Sequence, residues 1–138
     1  MNQYLSEKEA RQYSPLTLAF LGDSVYETMI RETLVKAGNI PVRKLHEQKI
    51  RLVCAGFQAR AFEMLVPLLS EQELSVAKRG RNAESIPPKH ADPADYRKAT
   101  GLETLFGYLY LMGDRKRLED LFQMIWNGQE NFLSHEKE

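Results

Sequence analysis

The sequence predicts an all-α protein, and three observations carry that expectation. Apolar residues recur at helical spacing through most of the chain. Cap residues followed by proline or glutamate mark several helix starts. No window alternates apolar and polar residues convincingly enough for a strand.

The elements follow in order. Ser14-Pro15 reads as an N-cap with proline at the first helical position, and Leu16, Phe20, Met29, Ile30 and Leu34 continue it. Gly38 is the expected stop. A second region opens near Pro41 and carries Leu45, Ile50, Val53, Phe57, Ala61 and Leu65, with a break expected between Val53 and Gly56 and an end at Pro67. Ser70-Glu71-Gln72-Glu73 is a capping box, in which the serine side chain accepts from a free backbone N–H and the glutamate reaches back. It opens a short polar helix over about residues 71–83. Glu84 to Ala91 holds Pro87 and Pro88 and reads as a loop. Asp92-Pro93 starts a helix to about Met112, and Gly113-Asp114 breaks it. A last amphipathic helix presents Leu118, Leu121, Phe122, Ile125 and Trp126, followed by a polar tail expected to fray after Gly128. The spacing thus gives a bundle of about six or seven helices.

A chain of 138 residues, 43% hydrophobic and 28% charged, suits one soluble domain with one core. No apolar run reaches the roughly 20 residues that cross a bilayer, and the polar N-terminus lacks the apolar centre of a secretion signal. The expected location is the cytoplasm, with no membrane partner. The single cysteine, Cys54, agrees, and its apolar flanks suggest a buried structural role. Net charge is zero, but residues 43–98 hold eleven Lys/Arg against seven Asp/Glu, so the middle is basic. A basic middle fits a polyanionic partner without demanding one.

Two helices break their own rules. Leu18 to Glu27 is apolar on most sides, yet Gly22 and Asp23 sit in its middle. Ala99 to Leu109 likewise holds Glu103 between Gly101 and Gly107. Glycine inside a helix costs about 1 kcal/mol against alanine and is best tolerated where another backbone comes close. A carboxylate in an apolar helix needs a partner. If the helices pack through their glycines, Asp23 and Glu103 could meet and bind a hard cation such as Mg²⁺. The alternative is that each acid lies at the edge of its apolar stripe and faces water. Glu27, one turn beyond Asp23, could then simply pair with Arg31.

At these residues the chain resembles a known family. Leu18-Ala19-Phe20-Leu21-Gly22-Asp23-Ser24-Val25-Tyr26-Glu27 resembles the signature helix of ribonuclease III, and Leu102 to Leu111 is similar to the second acidic helix of that family. Both occur in the family's order, and the resemblance covers roughly residues 14–127. Lys78-Arg79-Gly80-Arg81-Asn82-Ala83, Pro88-Lys89 and Asp95-Tyr96-Arg97 resemble the Mini-III branch, in which the catalytic domain stands without a double-stranded-RNA-binding domain. On this reading residues 1–13 are an N-terminal extension, 14–127 the ribonuclease III catalytic domain, and 128–138 the polar tail. Three acidic positions of the broad family are absent: Leu16, Ala19 and Thr100 stand there.

The resemblance implies a Mg²⁺-dependent endoribonuclease, with Mn²⁺ a possible substitute, that cuts double-stranded RNA to leave 5′-phosphate and 3′-hydroxyl ends. It carries over Asp23 and Glu103 as catalytic and metal-binding residues, with Glu27 a possible supporting group. It implies a homodimer with one active site per subunit, with Phe20, Val25 and Phe106 as candidates for the dimer face. The precursor of 23S (large-subunit) ribosomal RNA is the substrate implied. Duplex RNA is read by shape, phosphates and 2′-hydroxyls, and Lys78, Arg79, Arg81, Asn82, Lys89, His90 and Arg97, with Lys98 beside them, are the residues expected to hold it. His46 and His90 have no zinc-like spacing. Two alternatives remain at this point: a helical nucleotide phosphohydrolase, whose paired His and Asp motifs the chain lacks, and a non-catalytic RNA- or ribosome-binding module with the same fold.

Overall fold

The computed structural model describes residues 3–136, with side-chain environments for residues 3–132. Seven α-helices and one 3₁₀ turn account for the described chain, with no strand among these residues. They are α1 (Glu7–Arg11), α2 (Pro15–Ala37), α3 (Val42–Val53), α4 (Ala55–Leu65), the 3₁₀ turn (Val66–Leu68), α5 (Glu71–Arg81), α6 (Pro93–Leu111) and α7 (Arg115–Glu136). The all-α expectation holds.

Local chemistry sets the boundaries. Ser70 and Glu73 form the capping box of α5. Asp92 caps α6 by accepting from the amides of Ala94 and Asp95, with Pro93 at the first position. Gly113, at φ 72°, turns the chain out of α6 in the left-handed region that glycine adopts without cost. Cys54 is extended and serves both as the end of α3 and the cap of α4, where the break was expected.

Helix α6 is the axis of the molecule. From Ala99 to Leu109 every residue except Glu103 is buried. A helix apolar on all sides must be enclosed, and α2, α4, α5 and α7 enclose this one. α2 meets it at Leu18, Gly22 and Tyr26, within a buried stripe of one residue per turn that continues through Ile30 and Leu34. Tyr26 lies edge-on to Phe106 and Phe122, with ring centroids 5.7 and 6.4 Å away. Its hydroxyl donates to the carbonyl of Leu52 at 2.6 Å, tying α2 to the end of α3.

Two segments differ from the sequence expectation. Residues 128–138 were expected as a frayed polar tail, but α7 runs on to Glu136. The physical reason is Phe132, which is buried and packs edge-on against Phe57 at 5.2 Å. The N-terminal segment carries a helix that the sequence reading did not place. Ser6 and Glu9 form a capping box, Ala10 is fully buried, and the Leu5 amide donates to Leu111 at 2.8 Å. The Arg79 guanidinium then donates to the carbonyls of Arg11 and Tyr13 at 2.8 and 3.1 Å. The segment is therefore fastened to both α5 and α6.

Candidate active site

The two acidic helices meet through their glycines. A Cβ on Gly22 would collide with the carbonyl of Glu103 and lie 2.8 Å from the amide nitrogen of Gly107. One on Gly107 would collide in turn with the carbonyl of Leu18. Only glycine at both positions lets the backbones of α2 and α6 come this close. Asp23 follows Gly22 directly, and Glu103 precedes Gly107 by one turn. The packing therefore brings their side chains together at the edge of the interface, and the two carboxyls share a hydrogen bond.

The electrostatics of this pair are lopsided. Asp23 is exposed, whereas Glu103 is largely enclosed. Burial, reinforced by the Asp23 carboxylate, lifts the Glu103 carboxyl to about 8. An enclosed carboxyl beside a carboxylate carries charge only at a cost, so Glu103 retains its proton. A divalent cation can take the place of that proton. The Gln58 side chain, 3% exposed, donates a hydrogen bond to Glu103 from α4 and is the neighbour that favours its charged form. Sequence reasoning passes over Gln58. The available signal is a polar residue in the apolar stripe of Phe57, Ala61, Phe62 and Leu65.

The other expected residues divide. Glu27 is engaged by Arg31, whose guanidinium lies 2.8 Å from its carboxylate. Thr100 turns its hydroxyl back to the carbonyl of Tyr96 at 2.9 Å. Ala19 is buried and Leu16 is apolar, so none of the three altered family positions offers a charged ligand. Among the described residues, no group of three or more His, Cys, Asp or Glu side chains converges. Lys78, Asn82, Lys89, His90 and Arg97 are exposed, and Arg81 is half-buried with its Nε donating to Asn82 at 3.1 Å. Lys98 is paired with Glu63 at 2.5 Å. Lys78, Arg79 and Asn82 line an open groove of about 770 Å³ with Pro15, Glu71, Leu74 and Ser75. Arg79 is engaged differently, because its guanidinium holds the backbone of the N-terminal segment.

Comparison with known proteins identifies the family. The Ribonuclease III domain family matches residues 16–114. Mini-ribonuclease 3 of Symbiobacterium thermophilum is 49% identical over 110 residues, covering 79% of this chain and 85% of the relative. Mini-ribonuclease 3 of Clostridium tetani is 38% identical over 140 residues, covering 100% of this chain and 93% of the relative. A crystal structure of a protein from Fusobacterium nucleatum superimposes with a TM-score of 0.77 at 28% identity, over 86% of this chain and 95% of that one. The chain belongs to the ribonuclease III family, within its Mini-ribonuclease 3 branch, and is an endoribonuclease. No helix among the described residues is long and apolar enough to cross a membrane.

Proposed function

We propose that the protein cleaves double-stranded RNA hydrolytically with Mg²⁺ held by Asp23 and Glu103, and that its natural substrate is the precursor of 23S ribosomal RNA. The observation that carries the reading is the joined carboxyl pair on two helices locked by glycines. The pair fits a hard cation, because its donors are carboxylate oxygens and a second, charged carboxylate beside the enclosed Glu103 calls for a cation. When bound, Mg²⁺ supplies a lowered pKa for water and neutralises charge on the phosphoryl and leaving oxygens. With two carboxylates from the protein, water and RNA phosphate oxygens complete the coordination, and Mn²⁺ suits the same donors. The products on this reading end in 5′-phosphate and 3′-hydroxyl.

The protein side of the reaction is preorganisation. The glycine packing fixes both helices, so the carboxyls are held in place before the cation and RNA arrive. Phosphate contacts from Lys78, Arg81, Asn82, Lys89, His90 and Arg97 position the duplex, all but half-buried Arg81 being exposed on α5, the following loop and the start of α6. Arg79 acts here through the N-terminal segment it secures.

A homodimer in the cytoplasm completes the reading. Of the three dimer-face candidates, Phe106 is fully buried against Tyr26 and belongs to the monomer core, and Val25 packs partly against that core. Phe20 is different: it is 85% exposed, with Leu16 exposed one turn earlier on the same helix. Covering a phenylalanine gains roughly 1.5–3 kcal/mol, and symmetry doubles the gain. A non-catalytic module needs neither acid, and both are present and joined.

The test is cleavage of a plain RNA duplex. Expected are staggered fragments with 5′-phosphates in Mg²⁺ or Mn²⁺ and intact RNA in a chelator. Equal cleavage of single-stranded RNA, or cleavage undiminished by the chelator, would contradict the reading.

A further inference from the structure

Helix α4 carries one amide into the interior. Gln58 is 3% exposed and stands among Phe57, Ala61, Phe62 and Leu65. Burying an amide among apolar side chains costs roughly 1–3 kcal/mol unless its polar atoms are bonded. Nε2 donates to the carbonyl of Val53, the last residue of α3, at 3.0 Å. The amide also donates to the Glu103 carboxylate. Oε1 is equally buried and accepts from no group among the described residues. Leucine or methionine would fill the same volume without this cost, so packing alone does not account for the amide.

We infer that Gln58 is a positioning residue of the metal site: its N–H holds the Glu103 carboxylate where it meets Asp23, and its Oε1 accepts a hydrogen from a water in the hydration shell of the cation. This rests on the reading of Asp23 and Glu103 as the ligands. The chemistry favours it. Mg²⁺ held by two carboxylates keeps several of its waters, and each such water is a strong donor in search of an acceptor. A buried amide oxygen is such an acceptor, and it is neutral, so it adds no repulsion to a crowded pair of carboxyls. The anchor at Val53 fixes the amide to main chain at the α3–α4 break. Partners that orient ligands typically contribute 10–100-fold in metal affinity.

The experiment is calorimetric titration of the full-length protein with Mn²⁺ alone, without RNA, for wild type, Gln58→Leu, Gln58→Met and Asp23→Asn. Both Gln58 variants should fold, with a modestly changed metal-free Tm, because removal of the unbonded buried oxygen is offset by loss of the donor to the Val53 carbonyl. Their Mn²⁺ affinity should fall about 10-fold or more. Their cleavage of duplex RNA should recover as Mg²⁺ is raised, which a merely structural lesion would not do. Asp23→Asn should show no Mn²⁺ binding. Mn²⁺ affinity within twofold of wild type in the folded Gln58 variants, with binding lost in Asp23→Asn, would overturn the role of Gln58 alone. Wild-type binding by Asp23→Asn would overturn the metal reading and this inference with it. Failure of both Gln58 variants to fold would assign the amide to the fold and also overturn it.

Discussion

Gly22 and Gly107 face each other where α2 crosses α6, and a Cβ on Gly107 would lie 3.2 Å from the amide nitrogen of Gly22. The Asp23–Glu103 pair depends on that relationship, because Asp23 is attached to one of these glycines and Glu103 stands one turn from the other. Gly22→Ala raises helix propensity by about 1 kcal/mol, but its methyl meets backbone, which cannot swing aside. Overpacking of this kind costs typically 1–3 kcal/mol and more where backbone is involved. The variant should therefore lose stability in urea titration and lose cleavage as the carboxyls separate. Wild-type stability together with wild-type activity would show the packing here to be loose.

The raised Glu103 carboxyl makes the metal-free protein sensitive to alkali. In the window from the ordinary value of 4.5 to about 8, the folded state holds a proton that the unfolded chain has released. Stability is greatest below the unfolded value and falls as pH rises through the folded one. Glu73 has the opposite sign. Its bidentate bond from Arg117, with both distances 2.8 Å, holds its carboxyl below the usual range, so its contribution is present above 4.5 and disappears as pH falls through the lowered value. Thermal melts in a chelator from pH 3 to 9 should decline on both sides of about pH 5. Glu103→Gln should remove the alkaline decline and leave the acid one. A Tm that rises from pH 5 to 8, alike in wild type and Glu103→Gln, would contradict the assignment.

Phe20 sets the expectation for assembly. Phe20→Arg should convert a dimer at micromolar concentration to a monomer in sedimentation, and change the thermal stability of the isolated subunit little, since the side chain is 85% exposed. A variant that sediments as wild type would move the interface elsewhere.

The groove beside α5 separates two kinds of basic residue. Replacing Lys78, Arg81 and Lys89 by alanine should weaken duplex binding and flatten its dependence on salt, by roughly one unit of slope for each phosphate that is no longer neutralised. Arg79→Ala removes two hydrogen bonds to the N-terminal segment and should instead lower stability, by roughly 1–3 kcal/mol. Affinity for one RNA duplex measured over a salt series in Ca²⁺, beside urea titrations, checks both. An unchanged slope in the triple variant would return Lys78, Arg81 and Lys89 to plain solvation.

Local rules make most of the fold legible. Ser14-Pro15, the Ser70–Glu73 box, Asp92-Pro93 and Gly113 each act through their own backbone, so they can be read without knowing the partners. Mid-helix Gly22 and Gly107 announce a close approach because no local reason exists for them. α1 escapes the sequence reading although Ser6 and Glu9 repeat the signature used at Ser70 and Glu73. Its five residues, Glu7–Arg11, gain stability from tertiary interactions that Leu5, Ala10 and Arg79 provide. Phe132 in a polar tail, and Gln58 in an apolar stripe, are likewise decided by what lies across the bundle: Phe57 in one case and Glu103 in the other. Charge alone does not sort Arg79 from Lys78, since the difference lies in the carbonyls of Arg11 and Tyr13.

The central claim is that Asp23 and Glu103 hold the cation that drives hydrolysis. The most direct measurement is the single-turnover rate of duplex RNA cleavage by Asp23→Asn at saturating Mg²⁺, taken beside its metal-free Tm. Asparagine keeps the shape and removes the charge. Expected is a loss on the order of 10²–10³-fold or more, the scale of removing one preorganised group at a reacting centre, with Tm close to wild type because Asp23 is exposed. A variant that folds normally and cleaves within a fewfold of the wild-type rate would contradict it.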